Sequence, residues 1–347
     1  MCKRFPHLVV LMVVAAWMTS SLGAQDERER MQAQRLTLHV KSETPIQGSS
    51  TSSSMLMIPV KCDSDQNVYV RGYLKGDIFG APLTRISADG TKTTDFNLRK
   101  VQGFEKAQID DFTLGLRQEV YLLGSTAVNE ARVAKFTDTG EFESSVTVDA
   151  PFIPKQIAVF PSGQFLTRGA EVNEKTGAAT GRPFTALVDI SGKVLSRLEL
   201  SQDVGSSPSP GEDQKQKNAA ALEMGAVYVA EDGNIYIMRV TNPAVIYVFD
   251  SSGNQQRRLE IVPPEKGFNP VTFTAAYGRV VVQFDRSLES TAGSEQIYSL
   301  IDAGTGERLI DYVSSHEVGG TLACYTPNYF LFLGQGRSGL VIQKVQP

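Results

Sequence analysis

A glycine-bearing turn recurs along this chain at intervals of 50, 52, 61 and 51 residues. It reads "SADGTK" (Gly90), "TDTGEF" (Gly140), "DISGKV" (Gly192), "DSSGNQ" (Gly253) and "DAGTGER" (Gly304, Gly306). Glycine suits tight hairpins because their central residues need positive φ, which a side chain resists. An apolar run precedes nearly every copy: "LTRI", "RVAKF", "TALVDI", "VIYVF", "IYSLI". A second marker keeps step: "NVYVRG", "EVYLLG", "GQFLTRG", "NIYIMR", "RVVVQF" and "NYFLFLG". Runs of β-branched and aromatic residues bounded by Gly/Asn/Asp/Ser turns read as strands. Self-similarity at this period is the mark of a propeller or array.

The expected fold is therefore all-β: a six-bladed β-propeller of four-stranded antiparallel blades at 55–101, 108–150, 154–203, 219–264, 269–315 and 319–347. A single such sheet cannot bury both faces, so neighbours must stack around an axis. The sixth unit holds only three strands, and "QRLTLHV" stands unused near the N-terminus. Residues 35–40 are therefore expected to complete the last blade and close the ring, removing an exposed edge. The Ser-rich stretch 43–54 reads as a connector, and the polar stretch 201–218 as a mobile insertion between the third and fourth blades.

Ahead of this lies "MCKRFPHLVVLMVVAAWMTSSLGAQ". A basic start, an apolar run from Leu8 to Trp17 and small residues up to Ala24 have the layout of a secretory signal peptide over 1–24, with 25–54 an N-terminal segment of the mature chain. The expected location is periplasmic or extracellular, with no membrane span after cleavage. Cleavage leaves 32 basic against 38 acidic residues, a net charge of −6, with no basic run. A nucleic-acid partner is not expected on electrostatic grounds. Trp17, the sole tryptophan, leaves with the signal, and only His39 and His316 remain of the three histidines. A histidine-rich metal site is thereby excluded.

The stretch "EDGNIYIMRV…AVIYVFDSSGN" resembles a blade of the NHL-type six-bladed propellers. It departs from the repeat after the second strand, where Met238 and Arg239 stand before "VTNPAV" instead of an acidic residue and Asn-x-Arg. The resemblance implies that ligands sit on the face carrying the blade-to-blade crossovers and the second-to-third-strand loops.

Arg71, Arg168, Arg239, Arg286 and Arg337 all fall near those loops. Converging guanidiniums hold carboxylates or phosphates through paired hydrogen bonds. The leading expectation is thus a binding module, without cofactor, for a protein, peptide or small acidic ligand. His316, in the crossover before the sixth blade, is a further ligand-binding candidate. The alternative is a calcium-assisted hydrolase, similar to six-bladed lactonases, with Asp110, Asp111, Glu223 and Asn269 around the metal at the channel mouth. "CDSDQN" has the alternating opening of a calcium loop but lacks its Gly and Glu, so it reads as a hairpin turn.

Cys62 and Cys324 are the mature chain's cysteines, on the innermost strands of blades adjacent across the closure. Export permits a disulfide between them. Cys62 precedes Tyr69 by seven residues, whereas Cys324 precedes Phe330, its counterpart, by six, and alternation along a strand then sets them on opposite sides.

Overall fold

Each glycine turn of the repeat closes the hairpin between the third and fourth strands of a sheet. In the computed structural model, which describes residues 34–46, 56–72, 80–127, 130–149, 152–173, 175–205, 209–287, 294–336 and 339–347, Gly90, Gly140, Gly192, Gly253 and Gly306 all have positive φ, from +68° to +92°. Gly192 shows why a side chain is barred: a Cβ there would sit 1.8 Å from the Thr147 carbonyl oxygen. The segment 1–24 and Arg337 lie outside the described residues.

A long N-terminal strand precedes the first sheet in the chain. That strand, β1, spans Gln34–Pro45. The first sheet is formed by β2 (Leu56–Cys62), β3 (Val68–Gly72), β4 (Leu83–Ile86) and β5 (Thr93–Phe96). The second comprises β6 (Gln108–Leu114), β7 (Val120–Ala127), β8 (Glu130–Phe136) and β9 (Phe142–Thr147). The third comprises β10 (Phe152–Val159), β11 (Phe165–Val172), β12 (Ala179–Val188) and β13 (Val194–Arg197). The fourth comprises β14 (Val227–Val229), β15 (Ile235–Arg239), β16 (Ala244–Phe249) and β17 (Gln255–Ile261). All four are antiparallel and pair in chain order.

The remaining strands correct the expectation of six separate blades. β18 (Asn269–Ala276), β19 (Arg279–Ser287), β20 (Ser294–Asp302), β21 (Arg308–Ser314), β22 (Thr321–Tyr325), β23 (Phe330–Gly336) and β24 (Gly339–Gln346) join β1 in one eight-stranded sheet. Its order is β18-β19-β20-β21-β1-β24-β23-β22. β1 makes the junction because it is longer than the 35–40 segment expected. Its second half, His39 to Pro45, runs antiparallel to β24, as a closing fourth strand should. Its first half, Gln34 to Leu38, runs parallel to β21. The architecture is thus a propeller-type array of four-stranded sheets, with four separate and two fused.

Second strands are apolar on both faces because each sheet is sandwiched. On β15, Tyr236 and Met238 pack toward β19 residues Val280 and Val282, while Ile235 and Ile237 pack toward Leu166 and Leu187 of the third sheet. On β3, Tyr69 faces Phe112 and Leu122 of the second sheet. Val68 and Val70 face Leu331 and Leu333 of β23. The two halves of the eight-stranded sheet meet in the same way, through Tyr298, Phe332 and Val345.

The insertion expected to be mobile is partly helical. α1 spans Glu212–Glu223 and buries Asn218, Ala219, Ala221 and Leu222. Its run of alanines favours helix, and Glu212 and Asp213 complement the positive end of the helix dipole. Asn218 anchors it, donating to the Ser201 and Asp203 carbonyls at 3.1 and 2.9 Å. Glu223 therefore ends a helix and does not begin an innermost strand.

Candidate functional site

The first strand of each sheet lies innermost, and each contacts the next across the axis. Lys61 on β2 reaches β6, where Nζ lies 3.4 Å from Asp111 Oδ1 and donates to the Phe112 carbonyl. Asp111 Oδ2 accepts from the Ile157 amide on β10 at 3.0 Å. Gln156 donates to the Gly225 carbonyl, just ahead of β14, at 2.5 Å. Tyr228 on β14 meets the Phe273 ring on β18 edge-on at 5.0 Å, and its hydroxyl donates back to the Val60 carbonyl of β2 at 3.3 Å. The Lys61 ammonium also lies 4.8 Å from the centre of the Phe112 ring.

Lys61 and Asp111 thus form an axial knot that ties three sheets, with both side chains about 95% buried. Burial lowers the Lys61 pKa, opposed by the Asp111 charge. Such a pair survives burial because each ion is matched and further hydrogen-bonded. Composition did not single out Lys61. A lone lysine on an otherwise apolar innermost strand, "MLMIPVKC", was the available signal.

The antiparallel order puts crossovers and second-to-third-strand loops at one end of the ring, and first-to-second-strand turns at the other. At the crossover end, Asp110 accepts from Lys155 Nζ at 2.6 Å and from the Ser125 hydroxyl. Glu223 and Asn269 are exposed. Among the described residues, no group of three or more His, Cys, Asp or Glu side chains is placed to hold a metal ion. Asp110, Asp111 and Glu223, three of the four expected calcium ligands, do not form such a group.

The arginines are also dispersed. Arg71 is buried and engaged within the fold. Arg168 is buried, its pKa lowered by burial to about 9 despite the charges of Asp111 and Glu223. Its Nη1 has no hydrogen-bond partner among the described residues. Arg286 pairs with Glu295 at 2.5 Å and Glu265 at 3.4 Å, and lies over the Phe268 ring. His316 is exposed. Arg239 is buried, donates to the Leu200 and Asp203 carbonyls, and stacks 5.6 Å from the Tyr247 ring centre.

Arg239 borders a recess. A cleft of about 450 Å³ runs between α1 and the β15–β16 loop, lined by Arg239, Arg258, Gln214, Asn242 and Glu260 among others. Arg258 is held by Asp203 and Glu260, which raise its pKa against the effect of burial. Among the described residues, Arg239 Nε lacks a partner.

At the opposite end a second cavity, of about 230 Å³, opens into the axis above Lys61. Sequence reading missed it, because its walls come from turns in separate repeats. The "CDSDQN" turn borders it and is self-satisfied, as expected: Asp63 accepts from the Asp65 and Asn67 amides, both at 3.0 Å, and from the Tyr69 hydroxyl.

Cys62 and Cys324 also line this cavity and form a disulfide, with Cα atoms 5.7 Å apart. The alternation count does not bar the bond, because neighbouring sheets meet through opposite faces. Cys62 pairs with Val68 and Cys324 with Leu331. The intervening turns, Asp63–Asn67 and Thr326–Tyr329, differ in length by one residue. A residue shares the face of its cross-strand partner, so Cys62 lies with Val68 and Cys324 with Leu331, on the two faces that pack against each other between the sheets.

No family model matches the chain, and no curated protein matches it. Among solved structures, it is similar to a protein of unknown function from Dyadobacter fermentans, at 10% identity over 89% of this chain and 99% of that one, with a TM-score of 0.49. A protein of unknown function from Bacteroides caccae matches at 12% identity over 75% and 85%, with a TM-score of 0.41. YCF48 bound to D1 peptide matches at 12% identity over 91% and 98%, with a TM-score of 0.43. Similarities this distant carry no functional argument, and function has to be argued from the geometry.

Proposed function

We propose that the chain is an exported six-bladed propeller of NHL type, with the eight-stranded sheet serving as the fifth and sixth blades. In this reading it works in the periplasm or outside the cell as a binding module for an acidic peptide or protein segment. The ligand lies on the face of the second-to-third-strand loops. The observation that supports this is the cleft between α1 and the β15–β16 loop, where Arg239 and Arg258 stand together beside the amides of Gln214 and Asn242. Guanidiniums recognise carboxylates, and amides match the donors and acceptors of an extended backbone. Arg258 is committed to Asp203 and Glu260, whereas Arg239 bonds backbone carbonyls, which favours a ligand carrying a single carboxylate at this point.

The test is a fluorescence-anisotropy titration of the mature chain with acidic peptides and charge-neutral peptides of equal length. Acidic peptides should bind, more weakly as salt is raised, and about tenfold more weakly in Arg258→Ala. Equal affinity for neutral peptides, or none for either, refutes the reading. Calcium-dependent thermal stabilisation that Asp111→Ala or Glu223→Ala abolishes would favour the metal-assisted hydrolase instead.

A further inference from the structure

The second cavity carries an inference independent of the first, since it lies at the other end of the ring. Its rim contains every non-glycine residue with positive φ among the described residues: Gln66 at +66°, Gln118 at +65° and Tyr277 at +54°. In the matching turns of the third and fourth sheets the left-handed position is glycine, at Gly163 and Gly233. A side chain in this conformation costs about 1–3 kcal/mol, and such strain concentrates at functional sites. The three strained residues gather around one opening.

Two of them also reach a neighbouring turn. Gln118 Nε2 donates to Asp65 at 2.5 Å, and Gln66 Oε1 accepts from the Tyr329 hydroxyl. The rim is therefore fixed before a ligand arrives, which lowers the entropy lost on binding.

The chemistry of the lining selects the ligand. Lys61 is matched by Asp111 and Asp63 is consumed by its own turn, while Glu231 stands exposed at the rim. What remains to contact a ligand is largely uncharged: the Thr113 and Thr274 hydroxyls, the rim amides, and the tyrosines Tyr228 and Tyr325. Flat aromatic surface beside groups that both donate and accept suits a ring that is apolar on its face and hydroxylated at its edge. At about 230 Å³ the space falls below the roughly 300–1,000 Å³ of sites for drug-sized ligands, so it admits one such ring. We propose that this cavity binds a single neutral sugar ring, presented free or as the terminal residue of a glycan.

The mature chain is titrated with D-glucose, D-galactose, D-mannose and N-acetyl-D-glucosamine by calorimetry and by NMR, and applied to a glycan array. Two variants accompany it. Gln118→Gly removes a rim side chain while relieving its backbone strain, and Thr274→Val removes one hydroxyl at constant shape. At least one probe should bind and should shift the ring resonances of Tyr228 and Tyr325. Both variants should bind about tenfold more weakly, with the thermal midpoint unchanged in Thr274→Val and no lower in Gln118→Gly. Binding to the array alone also supports the proposal and identifies terminal presentation. No binding to any sugar or glycan overturns it. So does binding that survives both substitutions, or shifts that leave both tyrosines unmoved.

Discussion

Replacing Cys62 and Cys324 together by alanine should cost this fold heavily, because the bond between them spans 262 residues. Chain entropy sets the scale. Releasing a loop of that length returns roughly 19 cal/mol/K to the unfolded ensemble, or about 5.6 kcal/mol at 25 °C. The folded ring keeps other closures: β1 still pairs with β24 and β21, and Val60 and Val68 still pack on Ala323 and Leu331. Measured disulfide effects commonly fall short of the entropic figure, so the expected loss is about 3–5 kcal/mol. Alanine is preferable to serine because Cys324 is fully buried and a hydroxyl there would need a partner. The assay is equilibrium urea unfolding of the oxidised wild type, the reduced wild type and the double variant. The last two should agree. Both should show a steeper denaturant dependence, since an untethered unfolded chain exposes more surface. A loss below about 1 kcal/mol with an unchanged slope would refute the claim that this bond restrains the unfolded state.

Other consequences concern charge at the axis and the buried tyrosines. Asp111→Ala strands the buried Lys61 ammonium and should cost about 3–5 kcal/mol. In a double-mutant cycle with Lys61→Met, the pair should cost less than the sum of the singles by about 1–3 kcal/mol, whereas additivity would show that the two do not couple. Burial raises the pKa of Tyr69, Tyr228, Tyr247 and Tyr298, and that of Tyr236 to about 12. The unfolded chain loses these protons near the ordinary tyrosine value of about 10, while the folded chain holds them. Their contribution is thus fully present below that pH and is lost as pH rises through the folded values. Ultraviolet titration should show tyrosinate appearing together with loss of β-sheet circular dichroism. Ionisation of these tyrosines in a folded protein would contradict the assignment.

The sheet-by-sheet pattern was legible because its causes are local. Glycine at Gly90, Gly140, Gly192 and Gly253 answers a requirement of two adjacent peptide units, and all four turned out to join third and fourth strands. Continuous apolar second strands such as "NIYIMR" follow from sheets covered on both faces, whatever the neighbour. The helix α1 was hidden by its flanks: Ser, Pro and Gly dominate 205–211, and the alanines that carry the helix come late.

By itself, then, the sequence determined the repeat, the hairpins, and the need for a closing strand near residue 35. Tertiary structure alone decided that β1 pairs on both sides and fuses two sheets, and that Cys62 meets Cys324. It also decided that Gln66, Gln118 and Tyr277 share one rim, and that Lys61 meets Asp111 on the axis. The physical reason is common to all of these. Hairpins are chosen within a few residues, but register across a closed ring depends on turn lengths and strand lengths far apart in the chain. Cys62 and Cys324 meet because the faces carrying Val68 and Leu331 are the ones that close on each other.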